Sequence, residues 1–94
     1  MSYYDRTGER ITDREYVALM SADCRTVALD TFDDITVSTV WLGIDHQYGA
    51  GPPLIFETMI FGGPLDEEQW RYSTENSAIA GHAAAVALAK AAVR

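Results

Sequence analysis

The sequence predicts an α+β domain, a small antiparallel sheet of three to four strands with a short N-terminal helix and a longer C-terminal helix packed on it. Three observations support this prediction: a capping box before a short apolar segment, alternating apolar runs separated by turn residues, and a final alanine-rich segment. Because chains divide into several domains only well beyond 94 residues, residues 1–94 are expected to form a single domain.

The first helix is predicted over residues 12–22. Thr12 is a good N-cap, and Glu15 three residues later completes a capping box, in which each residue accepts a bond from the other's backbone N–H. The side chains expected to turn inward are Tyr16, Leu19 and Met20.

Two strands are predicted to form a hairpin after this helix. Residues 25–32, "RTVALDTF", are rich in β-branched residues, and Asp33-Asp34 supplies the turn. The second strand, from Ile35 to Ile44, alternates cleanly, which places Ile35, Val37, Thr39, Trp41 and Gly43 on one face.

A third strand is predicted over residues 54–61, "LIFETMIF", after a glycine-proline loop. Both of its faces are largely apolar, which is typical of a central strand or of a strand buried at a subunit contact. The segment "WRYS", residues 70–73, is predicted to add a short strand.

The last helix is predicted to begin at Ser73 or Thr74 and to continue through the alanine-rich segment. Its expected apolar stripe consists of Ile79, Ala83, Val86 and Val93. His82 lies on the edge of this stripe, where the simplest interpretation is a half-buried histidine with its hydrogen bonds satisfied.

Charge and composition limit the possible partners and compartments. Fourteen acidic and seven basic residues give a net charge of −7, which repels nucleic acid and anionic membranes, so neither is an expected partner. A single cysteine, Cys24, fits a reducing compartment, and no segment approaches the roughly 20 apolar residues of a membrane span. The expected location is therefore the cytoplasm.

Three segments carry a resemblance to a known family: "YDRTGERIT", "VSTVWLGIDHQYGAGPPLIFETMIFGG" and "RYSTENSAIAGH". In this order they resemble a family of small uncharacterised proteins common in bacteriophages of actinobacteria. The chain departs from the family at Tyr16, where a tryptophan is frequent, and in its more alanine-rich final helix. The resemblance implies a phage-encoded protein acting in the cytoplasm of an infected cell, and it transfers no catalytic role.

A metal site is one interpretation of the polar residues. His46 and His82, with Asp45 or Glu57, would supply imidazole and carboxylate ligands of the kind that zinc and iron accept. These residues lie on three separate segments, however, and no HxH or HxxxH pair organises them. No metal or other cofactor is therefore expected.

The structural alternative gives each polar residue a local partner. Asp45 would accept N–H bonds from the glycine loop, and His46 would anchor the same loop through a ring N–H. Glu57 would form an ion pair across the sheet with Arg71 or Arg25.

A ligand pocket is the third interpretation. The long loop "HQYGAGPP" follows Asp45 directly, and loops of this kind frequently line pockets. The free N–H groups where the last helix begins favour an anion, which an arginine could also clamp. The pocket for a small anionic or nucleotide-like ligand would consist of His46, Tyr48, Arg71, Tyr72 and Thr74.

Three functions follow from these interpretations. The first is a non-enzymatic binding protein that blocks a host or defence factor or sequesters a small anionic ligand. The second is a metal-dependent hydrolase that uses His46 and His82 with Asp45 and Glu57, one carboxylate acting as general base on a metal-bound water. The third is a structural protein that associates with itself. The sequence contains no recognisable catalytic motif, so no catalytic residue is assigned, and a homo-oligomer is expected.

Overall fold

The computed structural model describes residues 2–22, 25–45 and 50–93, and these residues form an α+β fold. The helices and strands in chain order are β1 (Tyr3–Tyr4), β2 (Arg10–Ile11), α1 (Asp13–Ser21), β3 (Thr26–Phe32), β4 (Ile35–Trp41), β5 (Phe56–Phe61), β6 (Gln69–Tyr72) and α2 (Glu75–Ala92). The predicted fold class is confirmed. The two-stranded sheet of β1 and β2 was not predicted, because each of its strands has only two residues.

The main sheet is an antiparallel meander with strand order β3-β4-β5-β6. Each strand therefore pairs with its neighbour in sequence, and β5 is a central strand as predicted. β3 and β6 form the two edges. The β3–β4 hairpin turns at Asp33 and Asp34, whose φ angles of 47° and 61° match the positive values that a type I′ turn requires.

The core lies between one face of the sheet and α2. β4 alternates as predicted, burying Ile35, Val37, Thr39 and Trp41. β5 contributes Phe56, Thr58 and Ile60 to the same face. The indole of Trp41 donates to the Tyr4 carbonyl at 3.0 Å, which ties β1 to the sheet.

α1 begins as the sequence predicts. Thr12 is its N-cap, and the reciprocal bonds with Glu15 form a complete capping box. The predicted inward residues pack on the cluster around Trp41, and the Tyr16 and Trp41 ring centroids lie 5.9 Å apart.

The predicted limits of β3 and β6 differ from the structure by one residue, and those of β4 and β5 differ by more. β4 ends at Trp41 and not at Ile44, because Gly43 adopts a φ of 75° and Ile44 bridges to Tyr3 instead. A Cβ on Gly43 would approach the rings of Trp41 and Tyr16 to 2.7 Å, so this position requires glycine. β5 begins at Phe56, two residues later than predicted.

The predicted stripe of α2 was only partly right: Val86 packs against the core, but other members do not. The buried residues are Ala78, His82, Ala85 and Ala89, whereas Ile79 is 50% exposed. Alanine methyl groups let the helix backbone lie close to the sheet, and His82 must point inward to reach its hydrogen-bond partners. Neither helix described in residues 2–22, 25–45 and 50–93 has the length and apolar character needed to cross a membrane.

Candidate functional site

A chain of hydrogen bonds joins α2 to three strands, running from Asp30, whose side chain is 56% exposed, into the core. His82 Nε2 lies 2.7 Å from Asp30 Oδ2, and His82 Nδ1 lies 2.7 Å from Thr39 Oγ1. Thr39 and Thr58 are directly opposite in the β4–β5 ladder, and their hydroxyl oxygens are 2.5 Å apart. We call these four residues the His82 chain.

The Asp30 carboxylate fixes the direction of these bonds when the imidazole is neutral. A carboxylate only accepts, so His82 Nε2–H donates to Asp30 and Nδ1 becomes an acceptor. The Thr39 hydroxyl then donates to Nδ1, and the Thr58 hydroxyl donates to Thr39. A single orientation therefore satisfies every bond of the chain, as buried polar groups require.

The order carboxylate, imidazole, hydroxyl is that of an acid–base–nucleophile triad. The nucleophile position is Thr39, however, whose exposed fraction is 0%, and Thr58 behind it is equally buried. A substrate could reach the Thr39 hydroxyl only if α2 left the sheet. The His82 chain is therefore a structural network, and the interpretation of His82 as a satisfied histidine is confirmed.

Sequence reasoning missed Asp30, Thr39 and Thr58 as members of this chain. The available signal was a single hydroxyl residue in the middle of the apolar face of each central strand, together with a histidine in the middle of an alanine-rich helix. Joining these signals required the β4–β5 register and the rotation of α2, and the sequence predicted neither.

The opposite face of the sheet carries no helix of the described chain and is called here the open face. Cross-strand register groups its side chains in rows, such as Leu29 beside Ser38 and Met59, and Thr36 beside Phe61. Leu29 is 60% exposed and Phe61 is 47% exposed. Leu29 on β3 and Phe61 on β5 are therefore exposed apolar side chains on either side of the polar residues Thr36 and Ser38 on β4.

An ion pair completes the open face. Arg71 Nε donates to Glu57 Oε2 at 3.0 Å, and the two residues are opposite each other in the β5–β6 ladder. Arg71 is one of the two partners predicted for Glu57, so this prediction is confirmed. The two charges balance each other at the end of the face remote from the acidic loop.

Five acidic residues gather at one end of the sheet, which we call the acidic end. In a meander the β3–β4 turn and the β5–β6 loop lie at the same end, and a Cβ on Gly62 would lie 2.6 Å from the Asp34 carbonyl oxygen. The members of the acidic end are Asp33, Asp34, Asp66, Glu67 and Glu68. Asp66 also accepts a bond from the Gly62 N–H at 2.6 Å, which holds the loop.

The predicted anion pocket is not assembled by its described members. Arg71 lies on the open face, whereas Tyr72, the next residue in the strand, packs on the helix side near Trp41. The Thr74 hydroxyl accepts from Ser77 N–H and caps α2. His46 and Tyr48 lie outside the described residues, so their part of the pocket stays a prediction.

The metal-ligand candidates within the described residues, Asp45, Glu57 and His82, are also apart from one another, and His46 lies outside the described residues. Both ring nitrogens of His82 bind protein groups, and Glu57 lies on the opposite face of the sheet. Asp45 accepts from the Leu54 N–H at 3.0 Å, at the far end of the loop. Within the described part of the chain, no group of three His, Cys, Asp or Glu residues could hold a metal ion.

A depression of about 380 Å³ lies beside α1 and contains two carboxylates with local structural roles. The Asp5 carboxylate accepts bonds from Thr7 and Glu9, whereas Glu15 belongs to the capping box. Partial burial acts to raise the pKa of Asp5, but hydrogen bonds from the Thr7 side chain and from the backbone N–H groups of Glu9, Thr7 and Gly8 outweigh it and lower the pKa.

Comparison of the chain with protein-family models, with curated proteins and with solved structures finds no match. The resemblance to the phage family therefore stays a prediction, and the function is argued from the molecule itself.

Proposed function

We propose that this protein is a non-enzymatic binding protein that acts in an infected actinobacterial cell and blocks a host or defence factor. Its binding surface consists of the open face and the adjoining acidic end. The observation that supports this proposal most is the position of Phe61, an exposed aromatic residue at the end of β5 that leads directly into the acidic loop.

The chemistry of this surface specifies the partner as a protein with a basic region beside an apolar patch. Exposed Leu29 and Phe61 supply apolar area, and aromatic residues are enriched among the anchors of interfaces. The acidic end and the net charge of −7 would steer a cationic surface into place. Because Glu57 balances the charge of Arg71, the arginine on this face would not repel this partner.

Two arguments favour binding over catalysis. The imidazole and hydroxyl of the His82 chain are buried, and His82 and Glu57, both required by the hydrolase hypothesis, lie on opposite sides of the sheet. The cellular setting rests on the family resemblance of the sequence and on its single cysteine.

The test is affinity capture from lysate of an actinobacterial host, followed by identification of the captured protein and titration with the purified partner. The variant Leu29→Asp/Phe61→Asp places charges in the open face. Ile79→Asp is the control, because Ile79 is similarly exposed but lies on α2. We expect wild type and control to capture the same basic protein, with an affinity that falls as salt rises, and the double variant to lose it.

Equal capture by the open-face variant would overturn this proposal. A non-covalent small molecule that remains in native mass spectra, and that the double variant still binds, would favour the sequestration of an anionic ligand instead.

A further inference from the structure

We propose that β6 is the dimer interface of the protein. In this dimer β6 pairs antiparallel with β6 of a second copy, about a twofold axis that passes beside Trp70. The two sheets then join into one continuous sheet. The interface uses the edge of the sheet, one flank of α2 and residues 66–68, so it shares only these acidic residues with the surface proposed to bind the host factor.

The hydrogen-bonding groups of β6 leave two residues free to pair outward. Ile60 N–H donates to the Glu68 carbonyl at 3.0 Å, so alternate residues from Glu68 onward direct their backbone groups toward β5. Gln69 and Arg71 therefore direct theirs away from the sheet. β6 is an edge strand of the described sheet, and such an edge is a template for another strand.

Only one twofold register suits these residues. Pairing Arg71 with Arg71 of the partner would oppose like charges. Pairing Gln69 with Gln69 would draw Glu67 into the ladder, although its φ of 71° excludes it from a strand. Pairing Gln69 with the partner's Arg71 avoids both problems. The backbone N–H and C=O groups of Gln69 and Arg71 in each copy then hydrogen-bond to the other copy.

This register is also complementary in charge. Antiparallel pairing sets the start of each β6 beside the end of the other. Acidic residues 66–68 precede the strand, whereas Arg71 lies near its end and the N-terminus of α2 follows. The negative start of one copy thus faces the N-terminus of α2 of its partner, whose free N–H groups favour negative charge. Glu75 does not spoil this arrangement, because Arg6 pairs with it at 2.8 Å.

An apolar groove of about 200 Å³ runs along the same edge, between β6 and α2, and is lined by Trp70, Tyr72, Gly81, Ala84, Ala85 and Leu88. α2 carries no lysine, arginine or acidic residue between Glu75 and Lys90, so its outer sides are apolar as well. A helix that is apolar on all sides is normally covered. In the proposed register the Trp70 side chains of the two copies meet at the axis, and each groove opens onto the other.

A matched pair of substitutions on α2 tests the interface. Leu88 is 51% exposed and lines the groove, whereas Ile79 is 50% exposed and does not line it. By sedimentation equilibrium we expect a dimer for wild type and Ile79→Glu. Leu88→Glu should raise the dissociation constant by roughly tenfold or more, because like charges would approach at the interface. A monomeric wild type, or equal effects of the two substitutions, would overturn the proposal.

Cysteine pairs test the register. Hydrogen-bonded antiparallel partners have Cα atoms about 5.5 Å apart, within the range of a disulfide. In a Cys24→Ser background, Gln69→Cys/Arg71→Cys should give a cross-linked dimer on mild oxidation, and neither single cysteine should. Efficient cross-linking of Arg71→Cys alone or Gln69→Cys alone would assign a different register and overturn this one.

The two proposals fail separately. Loss of the dimer in Leu88→Glu with retained capture of the host protein would leave the open face as the binding surface. Loss of capture in Leu29→Asp/Phe61→Asp with an intact dimer would leave the β6 interface unaffected.

Discussion

His82 joins α2 directly to two strands and, through Thr39, to a third. It projects from α2 to Asp30 on β3 and to Thr39 on β4, and Thr39 passes the contact to Thr58 on β5. Because each buried hydroxyl has a partner, the chain avoids the cost of about 1–3 kcal/mol that an unsatisfied buried group carries. It also fixes the rotation of α2 on the sheet.

Substitutions at the two threonines should report the direction in which hydrogen bonds are donated along the His82 chain. Thr39→Val removes the donor to His82 and the acceptor for Thr58, so we expect a loss of roughly 2–4 kcal/mol from two unsatisfied groups. Thr58→Val removes only the terminal donor and should cost about 1 kcal/mol. Urea unfolding of both variants and of the double variant measures these losses.

The double variant should cost less than the sum of the two single ones, because Thr58 no longer needs an acceptor when it is valine. A larger loss for Thr58→Val than for Thr39→Val would contradict the assigned direction of donation.

Asp5 provides a prediction about pH. Its folded pKa lies below the ordinary value of 3.8, so its ionised form stabilises the N-terminal turn above that pH. This contribution should disappear as the pH falls through the folded pKa. NMR titration of the Asp5 carboxyl carbon should give a midpoint below 3.8, and Thr7→Val should raise it, because the hydroxyl of Thr7 donates to Asp5 at 2.6 Å. An unchanged midpoint in Thr7→Val would contradict this cause.

At the scale of elements, α2 has one poor helix former, Gly81, at a point of close packing. Glycine in a helix costs about 1 kcal/mol relative to alanine, yet Gly81 lies near the middle of α2. The Tyr72 ring occupies the space that a Cβ would need. The glycine is thus explained by the close approach of β6 to the helix.

Gly81→Ala should therefore destabilise the fold in spite of the better helix propensity of alanine. In a Tyr72→Ala background the same substitution should instead stabilise it by about 1 kcal/mol, because the ring is gone. Thermal unfolding at one fixed protein concentration gives both values. Stabilisation by Gly81→Ala in the wild-type background would show that Tyr72 moves aside at little cost.

Local signals predicted the existence of the main elements and failed at their limits. The Thr12 capping box and the Asp33-Asp34 turn act over a few residues, and both were found from sequence. The end of β4 depends on contacts of Gly43 with distant rings, and the rotation of α2 depends on the position of Thr39. Such long-range contacts leave no mark on local periodicity.

The candidate site, like the fold, was predictable only where it depends on elements recognisable in the sequence. The Glu57–Arg71 pair followed from two strands that were recognised in sequence, and the structure forms it. The acidic end was not predicted, because residues 33–34 and 66–68 come together only through the meander topology. The prediction of a pocket containing both Arg71 and Tyr72 was wrong because adjacent side chains of a strand point to opposite faces of the sheet.

At the scale of the whole molecule, stability should decrease from the central strands toward the N-terminal segment. β4 and β5 contain most of the large buried side chains, whereas α1 has no fully buried residue. We expect amide hydrogen exchange to be slowest in β4 and β5 and much faster in α1 and β2. Trp41→Phe, which removes the bond to the Tyr4 carbonyl, should speed exchange in β1 more than in β5. Uniform exchange across the chain would contradict this order.

The meander also determines which parts of the fold can assemble while the chain is still being synthesised. Each strand can pair with the one made just before it, so the sheet is able to assemble during translation. Its apolar face must then wait for α2, which is synthesised after all four strands. During that interval the side chains that later form the core are exposed to solvent, and chaperones, proteases and other nascent chains can reach them.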